Sequence, residues 1–129
     1  QLVRTGTVLV IDYGVPLTAE LAQRPWRDWL RTYRGNERGE HYLSAPGSQD
    51  ITTDVPFDQL PEPDALRSQA QFLQLWGIDD LVDQGKRIWE EQAARPGLEA
   101  MKMRSRVSES EALLDPTGLG SFLVAEWQA

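Results

Sequence analysis

The chain contains no cysteine, one histidine and no apolar run that approaches the length of a membrane span. Without thiols there is no disulfide framework and no thiolate chemistry, and the composition suits a reducing, cytoplasmic compartment. His41 stands alone and cannot assemble a histidine-based metal centre, which argues against a zinc or iron enzyme. Basic residues are also short: thirteen Lys and Arg face twenty Asp and Glu, for a net charge of −7. Nucleic acid and anionic membrane surfaces are therefore poor partners, because both would be repelled. A nucleotide-binding glycine loop is missing as well. Gly118-Leu-Gly120 is the only close glycine pair, and it follows a helical pattern and precedes a strand. A phosphate-cradling loop needs the reverse order. Neither a Gly-x-Ser-x-Gly elbow nor paired histidines occur.

What is present begins with an ordinary globular make-up, 40 % apolar and 26 % charged over 129 residues, enough for one domain with a real core. Five tryptophans supply large anchors for it. The chain is organised around Gly6-Thr-Val-Leu-Val-Ile-Asp-Tyr-Gly14. Thr7–Ile11 is too short for a helix and does not alternate apolar with polar, so it predicts a strand buried on both faces. Asp12 and Tyr13 then sit where the strand gives out, the end at which open α/β sheets bind ligands. A plain turn built by Asp12 and Gly14 explains the motif equally well.

Further along, Leu17–Ala22 predicts one or two helical turns. Trp26, Trp29, Leu30 and Tyr33 follow the spacing of one helical face behind Pro25. Arg34–Gly39 and Ser44–Ser48 read as loops. Asp54 is placed to cap a short helix that Pro61 and Pro63 stop. Ala65–Ser68 predicts a short strand, and Gln69–Trp76 a helix closed by Gly77. Ile78–Gln92 makes a long amphipathic helix with Asp79 and Asp80 in its first turn and Arg95 at its last. Leu98–Asp115 has no glycine or proline and predicts another helix. Ser121–Trp127 closes the chain as a strand. The class is α/β, with few strands for so many helices. Asp50 and Asp54, four apart, are candidates for a carboxylate pair, though two turn caps would look the same. Met101 and Met103 read as core packing.

Three motifs occur in order: Leu9-Val-Ile-Asp-Tyr-Gly14, Ala45-Pro-Gly-Ser-Gln-Asp-Ile-Thr-Thr-Asp-Val-Pro-Phe57 and Ser68-Gln-Ala-Gln-Phe-Leu73. Together with the closing Gly120-Ser-Phe-Leu-Val-Ala-Glu-Trp127, they resemble the C-terminal half of the MidA-like S-adenosylmethionine-dependent methyltransferases. That family includes the arginine methyltransferase needed for respiratory complex I assembly. The resemblance implies strands five, six and seven of a Rossmann-like class I methyltransferase sheet, at Thr7–Asp12, Ala65–Ser68 and Ser121–Trp127. It also implies that residues 1–129 form one partial domain, with the cofactor-binding half absent from this sequence. The parent would be a methyltransferase using S-adenosylmethionine, and this chain alone would be inactive.

Carried over residue by residue, the resemblance matches Asp12 and Asp50, and with the neighbouring Asp54 these are the candidate catalytic carboxylates. It marks Tyr13, Arg31, Tyr33, Thr52, Phe57 and Gln69 as substrate contacts. Leu30, Arg31 and Tyr33 match a segment that is extended in the family, against the helical spacing noted above. The family's histidine three positions after that tyrosine is Asn36 here, and its Thr-Gln pair is Ser68-Gln69. The implied substrate is a protein, such as a respiratory complex subunit, with arginine as the target. A guanidinium nucleophile calls for carboxylates to orient it and aromatic side chains to wall the pocket. The competing expectation is an acidic interaction module without catalytic activity that docks a partner through Trp26–Tyr33. The family's strand order also implies that the first strand pairs antiparallel with the last and leaves its other edge open, so that copies of the chain associate there.

Overall fold

The aliphatic run after Gly6 extends as β1 (Thr7–Asp12) in the computed structural model, which describes residues 5–129. The last strand, here β8 (Leu123–Gln128), lies antiparallel against it with Thr7 opposite Gln128 and Asp12 opposite Leu123. On the far side of β8 runs β7 (Ala65–Ser68), also antiparallel to it, with Ser68 opposite Leu123. The order is β1-β8-β7, so β1 and β7 point the same way with a reversed strand between them. The antiparallel pairing expected from the resemblance is therefore present. Val124 and Ala125 of the central strand have no exposed surface at all and form the middle of the core. Glu126 beside them is buried, and Arg67 of β7 reaches across to neutralise it.

Burial of β1 on both faces does not hold in this chain. Val8, Leu9 and Ile11 remain 38 %, 43 % and 47 % exposed. Among the described residues β8 is the only strand beside β1, so one edge is unpaired, and no helix packs extensively over its faces.

Past Asp12 the chain makes β2 (Gly14–Val15), two short helices α1 (Thr18–Ala22) and α2 (Trp26–Trp29), then β3 (Leu30–Arg34) and β4 (Glu37–Arg38). The helical spacing of Trp26–Tyr33 is thus correct for four residues only. The chain is extended from Leu30 onward, because β3 is fastened along Leu30–Tyr33 to β5 (Asp50–Thr53). The loop read at Arg34–Gly39 is a tight hairpin turn, with Gly35 at φ +60° and Tyr33 opposite Arg38. Asp54 caps no helix. It leads into β6 (Val55–Pro56), which pairs in parallel with β2, and only then does a 3-10 turn form at Phe57–Gln59. A Cβ at Gly14 would run into the Val55 carbonyl oxygen, so glycine is required for that close approach.

Three helices fill the interval between β7 and β8. Ser68 opens α3 (Gln69–Leu75) with a reciprocal cap: its hydroxyl accepts from Gln71 N–H while the Gln71 side chain accepts from Ser68 N–H. Gly77, at φ +84°, turns the chain into α4 (Ile78–Gln92), and α5 (Leu98–Leu114) packs back against it. Arg95 falls beyond α4, whose last turn carries no basic residue. Buried Gly85 lets α5 approach closely, its Cβ position lying 3.1 Å from the Met103 carbonyl oxygen. Gly120 is likewise a packing residue: a Cβ there would lie 2.5 Å from the Leu114 carbonyl carbon.

Candidate functional site

The motifs singled out in the sequence converge at the carboxyl end of β1. Tyr13 leaves that end with its amide held by the Asp12 carboxylate (2.8 Å) and its carbonyl accepting from Val55 N–H (3.0 Å). Its ring meets Phe122 edge-on at 5.7 Å, and its hydroxyl contacts the Thr52 hydroxyl. Arg31, directly opposite Thr52 on the neighbouring strand, lays its guanidinium 5.0 Å from the centre of the same ring.

Alternation along β3 and β5 puts Arg31, Tyr33, Asp50 and Thr52 on one face of this small sheet, with Tyr33 opposite Asp50. Four residues marked from motifs are therefore one continuous surface, with Tyr13 at its inner end. Asp50 is exposed and has no ion-pair partner among the described residues. An open hollow of about 240 Å³ beside it is lined by Tyr33, Arg34, Ser48 and Gln49.

Asp54 has a different role. Its carboxylate is buried and gripped from two sides, by Arg24 Nη2 at 2.7 Å and by Arg31 Nη2 at 2.8 Å. Burial works against the charge of Arg31. The hydrogen bond and attraction of Asp54, followed by those of the Tyr13 hydroxyl, more than offset it and hold the guanidinium above its ordinary value. Each oxygen of this carboxylate already holds one guanidinium, so Asp54 braces the two arginines from behind the face. The structure assigns Arg24 to this cluster; the partners are thirty residues apart and no local pattern marks it.

The remaining marked residues lie around this centre. Phe57, 2 % exposed, is core and does not wall a pocket. Gln69 starts α3 at the end of β7, where its amide donates to the Phe122 carbonyl (2.7 Å), one residue removed from Tyr13 by way of the Phe122 ring. Asp12 is half-buried and committed to the Tyr13 amide.

Residues 1–75 match the model of a protein family described as "Putative S-adenosyl-L-methionine-dependent methyltransferase". No curated protein matches the chain. Among solved structures, an uncharacterised superfamily protein from Burkholderia thailandensis superposes with a TM-score of 0.67 at 24 % identity, over 98 % of this chain and 33 % of its own. Another member of that superfamily from the same organism, crystallised with S-adenosyl-homocysteine bound, gives 0.63 at 24 % identity, over 96 % of this chain and 32 % of its own. At that identity the likeness speaks to the fold. This chain spans about a third of the length of those structures.

Proposed function

Because the chain belongs to the family of S-adenosyl-L-methionine-dependent methyltransferases whose model covers residues 1–75, we propose that it is the C-terminal, acceptor-side part of a MidA-like class I enzyme that methylates protein, with arginine as the target. The strand order supports this reading, since first, last and middle strands lie in the order expected of strands five, seven and six, with the last reversed. The observation that carries it is the shared face of Tyr33, Asp50, Thr52 and Arg31 running into Tyr13 at the carboxyl end of β1.

S-adenosylmethionine would supply the methyl group as an electrophilic sulfonium. Gly118 and Gly120 serve packing and not a cradle for it, since a Cβ at Gly120 would meet the Leu114 backbone and one at Gly118 would lie 3.1 Å from the Asp115 side chain. The chain's contribution is to the acceptor. Asp50 is the free carboxylate that can accept hydrogen bonds from a guanidinium and draw its charge, with Tyr33 alongside as an aromatic wall. The Tyr13 hydroxyl, fixed by Thr52 and Arg31, offers a positioned polar group at the strand end. Ordering of this kind lowers the barrier by holding the nucleophile in line.

The test is a methylation assay on the longer parent protein. Asp50→Asn and Tyr13→Phe should each lower turnover by roughly tenfold or more with unchanged folding. Wild-type rates in both variants would remove this face from the acceptor site.

A further inference from the structure

The arginine- and aromatic-rich segment after α1 forms a second pocket, about 340 Å³, on the other side of the small sheet. Trp26 and Arg27 of α2, Arg38 of β4 and His41 line it, with Leu30 and Thr32 from the face of β3 opposite to Arg31 and Tyr33. Its aromatic wall is well built. Trp26 meets His41 edge-on at 5.0 Å and Tyr42 at 5.3 Å, while His41 and Tyr42 stack at 4.3 Å. Gln49 ties the His41 loop down by donating to the His41 and Ser44 carbonyls.

Three side chains around this wall can donate to an anion, and none of them pairs with a carboxylate among the described residues. Arg27 lies 5.1 Å from the Trp26 ring centre and pairs with no carboxylate among the described residues. Arg38 donates to the backbone carbonyl of Arg27 (2.9 Å), which holds its guanidinium against α2, and it too lacks a carboxylate among the described residues. His41 Nδ1 accepts from Leu43 N–H (3.2 Å), so the neutral ring carries its proton on Nε2. The one acid in the lining, Glu40, is exposed and pairs with neither arginine. Arginine forks beside an N–H donor match a planar, two-oxygen anion.

We propose that this pocket is a carboxylate subsite that holds an Asp or Glu side chain of the polypeptide presented to the acceptor face. Arg38 joins the two surfaces, since its guanidinium also lies 5.6 Å from the Tyr33 ring. The local charge suits that role: residues 24–41 hold five arginines and three acids in a chain that is otherwise strongly acidic. The identity of the peptide rests on the methyltransferase reading above, but the pocket can be tested without methyl transfer.

The experiment is an NMR titration of the protein with acetylated, amidated tetraglutamate, with tetralysine and inorganic phosphate as separate arms. Tetraglutamate should shift the Trp26 indole and His41 ring signals saturably, and tetralysine should not. The Arg27→Gln/Arg38→Gln double variant should bind roughly tenfold more weakly, and Glu40→Gln severalfold more tightly. Absence of a saturable shift at millimolar peptide, or equal affinity in all three proteins, overturns the subsite. Tighter binding of phosphate than of tetraglutamate overturns the carboxylate assignment. Failure here leaves the methyltransferase reading intact, and failure of the methylation assay leaves the titration to decide the pocket.

Discussion

Asp54 shows how a single side chain can look functional in sequence and act as a brace in the fold. Its two arginines come from the segment after α1 and from β3, so one carboxylate joins three pieces of chain. Asp54→Ala should cost about 3 kcal/mol, because Arg31 would stay partly buried without its counter-charge. Chemical denaturation of the variant checks this, and a loss below about 0.5 kcal/mol, the size of a surface substitution, would show that the pairs contribute little. A quieter residue, Asp58, sets part of the acid response. It accepts from the Thr18 hydroxyl (2.7 Å) and amide (2.9 Å), forty residues away, and so caps α1 from outside. Those bonds, the hydroxyl first and the amide second, hold its carboxyl below the usual value of 3.8. Asp115 is lowered in the same direction by the Thr117 amide and hydroxyl. A lowered folded-state value means stability that is complete above 3.8 and is lost as the pH falls through the folded-state value. Asp58→Asn should therefore lower the plateau of a melting-temperature profile above pH 3.8 and converge on wild type as the pH falls below it, so that the acid limb is flatter.

Among the elements, β1 has the clearest consequence. Its aliphatic residues are half exposed, and among the described residues one of its edges has no partner. No proline or inward charge protects Thr7–Ile11 from pairing with another strand. The chain should associate in solution through that edge, as a dimer or larger. Light scattering together with amide exchange checks it: self-association should protect the outward amides of β1, and a clean monomer with fast exchange there would refute it. The second lesson at this scale is the joint at Leu30. Within Trp26–Tyr33 the apolar spacing suits a helix throughout, yet backbone pairing to β5 takes over after one turn. Local periodicity cannot anticipate that, because the competing hydrogen bonds come from residues twenty positions ahead. The family resemblance had the extended conformation at Leu30–Tyr33.

At the scale of the whole molecule, the chain has the β1-β8-β7 sheet, a small ribbon carrying Arg31, Tyr33, Asp50 and Thr52 on one face, and a helical insertion between β7 and β8. Among the described residues its one close glycine pair, Gly118 and Gly120, is taken up by packing. Titration calorimetry of this chain with S-adenosylmethionine should show no micromolar binding, and tight binding would contradict its assignment to the acceptor side. Much of this was determined by the sequence alone. The runs Thr7–Ile11 and Ala65–Ser68, the closing strand, the break at Gly77 and the helices from Ile78 and Leu98 all follow from apolar period, glycine and proline. Those are local effects, felt within a turn or a strand. Tertiary structure decided the rest. It placed Asp54 between Arg24 and Arg31, moved Phe57 from pocket wall to core, and gathered Tyr33, Asp50, Thr52 and Arg31 on one face. It also set Arg27, Arg38 and His41 around Trp26. Ion pairs and strand register join residues whose separation along the chain carries no signal, so only the folded backbone could bring them together.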